Sequence, residues 1–179
     1  MQGPTHLVTG ILIQKSLRKV QPLPLQYSAV VALAVLSHGV LDRLARATYH
    51  PPAPLANDWF WAVSHLIIGV LTVCIVVRSW RDYKLSMVCS ILPDLDWVLR
   101  PVVKLFSVEA GETHPLHTLV LRFMDLFVPP TFWDALPNWN LERKGLIVEV
   151  ILFAMLLTCI HGLGERESSE SHGHGSFSS

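Results

Sequence analysis

Charge is scarce in this chain. Only 16% of its 179 residues are Asp, Glu, Lys or Arg, and the two signs balance at 14 each. Without a basic excess there is no electrostatic footprint for nucleic acid, so no nucleic-acid binding is expected, and without an acidic excess the chain is no solvating tail. Cysteine is scarce as well. Cys74, Cys89 and Cys159 lie far apart in apolar stretches with no CxxC spacing, which argues against a disulfide framework or a thiolate zinc site. The N-terminus also lacks the order of a secretory leader. Lys15, Arg18 and Lys19 follow its apolar part instead of preceding it, so no cleavable address is expected.

Apolar residues fill the space that charge leaves. They make up 51% of the chain, and the mean hydropathy of +0.41 is high for a soluble domain, so the lipid bilayer is the first partner expected. Residues 59–77, WFWAVSHLIIGVLTVCIVV, run 19 positions without a formal charge and open on an aromatic cluster suited to an interface. Further spans are expected at 145–164, interrupted by Glu149 and His161, at 26–47, and at 85–103, broken by Pro93. Residues 5–17 are too short to cross, since ~20 are needed, and read as a helix packed within the bundle. PPAPLAND (51–58) and VPPTFWDALPNWN (128–140) read as loops. The fold expected is all-α: a polytopic membrane bundle of about four to five hydrophobic helices in one domain, residues 1–164. Residues 165–179 read as a disordered tail whose His172 and His174 are solvated.

Inside one apolar run stands LSHGVLD, residues 36–42. His38 and Asp42 are four apart, which on a helix stacks them on one face, a ligand geometry. Basic residues follow the first segment (Lys15, Arg18, Lys19) and the third (Arg78, Arg81, Lys84), while 48–58 has none. By the positive-inside rule the 48–58 loop is non-cytoplasmic and the 78–84 loop cytoplasmic. At ~1.5 Å per residue, His6, His38, Asp42, His65, Asp94 and Asp96 then fall near the same non-cytoplasmic level, with His114 and His117 in the next loop on that side. A faint internal echo runs the same way. THLVTG (5–10) resembles SHLIIG (64–69), LSHGVLD falls where ILPDLD (91–96) does, and YHPPAPL (49–55) resembles THPLHTL (113–119).

An ionisable side chain at membrane depth is costly unless it is paired, hydrated or bound to a cation. Each group alone has an ordinary use: His38–Asp42 as an interhelical clamp, Asp94 or Asp96 as a cap after Pro93, His6 and His65 as interfacial side chains. Taken together they favour a divalent metal held by His6, His38, Asp42, His65, Asp94 and Asp96. Imidazole and carboxylate without thiolate fit zinc first, then manganese or iron. His114 or His117 would be a further ligand or the general acid. Hydrolysis of an ester or phosphoester at the membrane interface is the reaction class expected. The alternative from another class is a metal-ion or proton carrier, or a scaffold in which the same groups only pair with one another.

The motifs THxxxG, LPDxD, a His-rich turn close to HRxxTHS, and SHxxxD together resemble the membrane-bound, metal-dependent hydrolases described as LexA-binding and inner-membrane-associated. The resemblance touches most of residues 5–119 and implies a multi-helix membrane protein with metal-dependent hydrolase activity. More distantly, helical His/Asp sites of this kind are similar to those of the zinc phospholipase C and nuclease group, which implies lipid or nucleotide phosphoesters as substrates. Two departures stand out. SHGVLD here precedes ILPDLD, a permuted order, and THPLHT lacks the Arg of HRxxTHS.

Overall fold

The computed structural model describes residues 2–51, 57–96 and 114–173, with 166–173 described by backbone alone. Among the described residues six α-helices are delimited: α1 (Gly3–Ser16), α2 (Leu23–Leu44), α3 (Trp59–Ile91), α4 (Pro115–Asp125), α5 (Pro130–Asp134) and α6 (Gly145–Gly173). Short 3-10 turns follow α2 (Ala45–Ala47) and α3 (Leu92–Asp94). No strand occurs among the described residues.

Proline opens four of these helices, at the first or second position of α1, α2, α4 and α5. There its missing N–H costs nothing and its fixed φ suits the helix. The start of α3 is capped instead by Asp58, whose Oδ1 accepts from the Phe60 N–H at 2.9 Å.

Among the described residues three helices are long and apolar enough to cross a membrane: Leu23–Ala47, Trp59–Asp94 and Gly145–Glu165. Much of their apolar surface faces outward. Leu66 is 67% exposed, Val73 61% and Val77 77% on α3, and Ile147 is 61% on α6. A continuous apolar face of this kind suits hydrocarbon rather than water.

α1 is the central element. Its first half is buried all round, from Pro4 through Val8 and at Gly10 and Ile11, as an interior helix must be. α3 runs down its length and then comes back. Gly3 lies against Thr72, and the Gln14 amide donates to the Asp82 carbonyl. Past Tyr83, whose φ of −128° and ψ of 17° break the helix, Gln14 accepts from the Ser86 N–H and Gly10 packs on Ser86 and Ser90. Leu7, Ile11 and Met87 form the core of this junction, with Ile75, Val76, Tyr83 and Ile160 against them. α6 descends beside α1: Glu149 meets Gln2 and Thr5 near one end, and Lys15 donates to the Ile160 carbonyl near the other.

Several expectations change here. The basic 78–84 segment is helical apart from the break at Tyr83, so the reversal takes one residue rather than a loop. The expected fourth span, 85–103, starts on the short returning limb of α3, is interrupted by the 3-10 turn Leu92–Asp94 and is helical again at 95–96; residues 97–103 lie outside the described residues. Between 128 and 140, Pro130 starts a one-turn helix within what reads as a loop. The backbone of α6 continues to Gly173, through the start of the expected tail and past His172, whereas His174 lies outside the described residues.

Candidate metal centre

The buried stripe of α2 leads straight into the site. Val30, Ala34 and His38 are buried at four-residue spacing, and Asp42 is the next position on that face. His6 of α1 comes up beside them, because α1 and α2 run in opposite directions after the turn at 17–22. Its ring stacks on that of His38, centroids 4.2 Å apart and planes 22° from parallel. His6, His38 and Asp42 each offer a ligand atom, all within 4.8 Å of one another, and could hold a metal ion.

Asp42 is the hub. Its Oδ1 lies 3.2 Å from Nε2 of His6, and its Oδ2 lies 3.0 Å from Nε2 of His38 and 2.8 Å from Nε2 of His117. Asp94, in the 3-10 turn after α3, adds Oδ1 at 3.4 Å from the same His38 nitrogen. A carbonyl oxygen can only accept, so the 2.8 Å contact between His38 Nδ1 and the Ser90 carbonyl makes Nδ1 the donor. In the neutral ring the lone pair is then on Nε2, toward the cluster, which is the arrangement of a metal-bound histidine. His6 is 1% exposed, and burial lowers its pKa below the ordinary histidine value, which favours the neutral ligand form.

The residue types therefore fit a borderline divalent cation. His6 and His38 present Nε2 atoms that are buried and lack a well-formed hydrogen bond among the described residues, each aimed at a carboxylate. A ring lone pair facing a carboxylate needs a proton or a cation between them, and a divalent ion would supply the latter.

Two other expected ligands are not brought to this cluster. His65 lies on α3 one residue beyond Ser64, which is buried, and successive helical residues point ~100° apart. Its Nδ1 bonds the Trp61 carbonyl of its own helix at 2.8 Å, and its ring stacks on Trp61. Asp96 turns the other way from Asp94. Its Oδ2 accepts from the backbone N–H groups of Leu116 (2.7 Å) and His117 (3.0 Å), capping α4 from a distance. Asp96 thus fixes the helix that delivers His117. Of the pair expected in a loop, His117 sits in the first turn of α4, and His114 is its N-cap residue, with a carbonyl that accepts from Thr118 at 2.8 Å.

The cluster opens into a cavity of about 860 Å³ whose walls include Asp42, Asp94 and His117. Arg43, Arg46 and His50 line it too, and the sequence reading assigned none of them a role. Arg43 is held by Asp125 and Arg46 by Asp134. His50 is exposed to the cavity yet surrounded by protein, and that desolvation lowers its pKa to about 4. The His-Pro echo between 49–55 and 113–119 was the signal that could have singled it out.

Comparison with known proteins finds no matching family model, no matching curated protein and no matching solved structure.

Proposed function

We propose that the chain is an integral membrane protein whose His/Asp centre holds a divalent cation, zinc first by donor chemistry, and hydrolyses an ester or phosphoester at the membrane interface. The observation that carries this reading is the convergence of three imidazoles on Asp42, with Nδ1 of His38 committed to Ser90. His6, His38 and Asp42 hold the ion. A divalent cation there supplies Lewis acidity, polarising the scissile bond and lowering the pKa of water beside it.

The other residues handle protons and charge. In hydrolysis the attacking water loses one proton as its oxygen bonds to carbon or phosphorus, and the leaving oxygen gains one as its bond breaks. Asp94, 43% exposed, accepts the first, and His117, 20% exposed and 2.8 Å from Asp42, supplies the second. Arg43 and Arg46 favour the phosphoester. Both line the cavity and bring positive charge to it, which favours an anionic phosphoryl group there. They stand in for the Arg missing from THPLHT.

The test is metal content and hydrolysis in parallel, on protein purified in detergent without chelators. The expected result is stoichiometric transition metal and cleavage of bis(p-nitrophenyl) phosphate in preference to p-nitrophenyl butyrate, with both properties lost in His38→Ala. Native protein without metal would sink the reading. Metal-loaded protein that moves the ion across liposomes but cleaves neither probe would make it a carrier.

A further inference from the structure

A second cavity borders Gln2 as the His/Asp cavity does, but it opens between α3 and α6. It is a groove of about 500 Å³, within the range that holds small organic ligands. Val63, Ile67 and Leu71 form one wall, Leu146, Val150 and Phe153 the other. Both walls belong to helices long and apolar enough to cross a membrane, so the ligand within reach is a lipid chain. Its mouth is marked by Trp59, 70% exposed, and by the Arg143 guanidinium 4.8 Å from the Phe60 ring, an arrangement suited to the headgroup level. From Trp59 to Leu71 α3 descends ~18 Å.

One polar group is out of place in these apolar walls. Glu149 is 5% exposed. Its Oε1 accepts from the Gln2 backbone N–H at 2.8 Å and from the Thr5 hydroxyl at 3.1 Å, whereas Oε2 has no hydrogen-bond partner among the described residues. A buried carboxylate oxygen left without a donor is costly, so a ligand that brings one is selected. Glu149 is four residues into α6, ~6 Å below its start, the depth at which the linkage between a lipid's chain and head lies.

We propose that this groove binds one hydrocarbon chain of a membrane lipid that carries a free hydroxyl at its chain-to-head linkage, the hydroxyl donating to Oε2 of Glu149. Because Gln2 borders both cavities, the polar end of such a lipid lies beside the His/Asp centre. That the lipid is also the substrate rests on the hydrolase reading; its binding does not.

The experiment is photolabelling in phosphatidylcholine vesicles with diazirine-bearing hexadecanol or its methyl ether, followed by peptide mapping. EDTA is present throughout, so the outcome does not depend on metal at the other site. The alcohol is expected to label residues 59–71 and 146–153 about tenfold more than the ether does, the worth of a hydrogen bond to a charged acceptor. Glu149→Gln keeps an acceptor for Gln2 and Thr5 but replaces the second oxygen by an amide donor. It should leave the label in the groove and erase the preference for the alcohol. Ile67→Trp fills the groove and should remove the label from 146–153. Label spread as heavily over the outer face of α2, around Leu25 and Val31, would overturn the proposal. Equal labelling by alcohol and ether, or a preference that survives Glu149→Gln, would overturn it as well.

Discussion

At Asp42 one carboxylate faces three imidazoles, and a change from anion to amide there separates a metal ligand from a hydrogen-bond partner. Asp42→Asn preserves size and an acceptor, so the helices should still pack. Metal affinity should fall by about 10-fold or more, because the site loses its central negative charge; elemental analysis of the purified variant checks this. Full occupancy would leave Asp42 a structural clamp. Asp94 and Asp96 make a matched pair at the same scale. Asp94→Asn should lower hydrolysis sharply, since its oxygen meets His38 at the cavity. Asp96→Asn should keep metal and activity, since an amide oxygen can still accept from Leu116 and His117. Asp96→Ala removes the cap, at a cost of ~1 kcal/mol, and should lower activity by loosening His117 while metal stays bound. Equal behaviour of the two Asn variants would contradict these separate roles.

The junction of α1 with the returning limb of α3 depends on small residues. A Cβ at Gly10 would lie 2.7 Å from the Ser86 carbonyl oxygen and 3.0 Å from the Ser90 hydroxyl, so the two helices approach as closely as backbone allows, in the manner of small-residue contacts between membrane helices. Gly10→Ala should therefore destabilise the fold by about 1–3 kcal/mol through overpacking. Gly69 on α3 is the control, because a Cβ there meets nothing within 4 Å. Gly69→Ala should be neutral or stabilise by up to ~1 kcal/mol through helix propensity. Thermal unfolding of the two variants in the same detergent reads the difference. Equal melting temperatures would mean that the close approach at Gly10 does not hold the limb in place.

Across the whole molecule, the His/Asp centre and the basic cluster around the turn of α3 occupy opposite ends. Arg18 donates to the Tyr83 hydroxyl at the turn of α3, near Lys15 and Lys84, while Asp42, Arg43 and Arg46 lie at the other end with Asp58 and Arg143. The stretch from Trp59 to Tyr83 covers ~36 Å, enough for a ~30 Å hydrocarbon core. In a chain freed of native cysteines, single cysteines at Asn57 and Lys84 should react from opposite sides of the membrane, Lys84 from the cytoplasmic side. Equal reactivity from one side would remove the crossing by α3. Metal and fold are also linked at this scale. An ion held by His6, His38 and Asp42 would bind only the assembled helices, so chelation should lower the melting temperature, by the equivalent of ~4 kcal/mol if the free ion is at a thousand times its Kd.

The apolar stretches of α2, α3 and α6 were legible in the sequence because a helix that meets hydrocarbon needs a long uncharged run, whatever surrounds it. His38 with Asp42 was legible for a similarly local reason: four residues is one helical turn, so their shared face required no tertiary information. His6 and Asp94 could be assigned to the same level by counting residues from the loops. Counting gives depth but not direction around the helix axis, and that is where the tertiary structure decided. Ser64 turns inward and His65 bonds its own helix; Asp94 meets His38 while Asp96, two residues on, caps α4. His117 reaches Asp42 because α4 packs on α2, with Val120 and Met124 against Gly39, and because Asp96 caps its first turn. Glu149, an interruption in the sequence of a span, acquires its partners from Gln2 and Thr5, 147 and 144 residues away. The return of α3 at Tyr83 has no proline or glycine to announce it, since it is set by packing along α1, which no local pattern encodes.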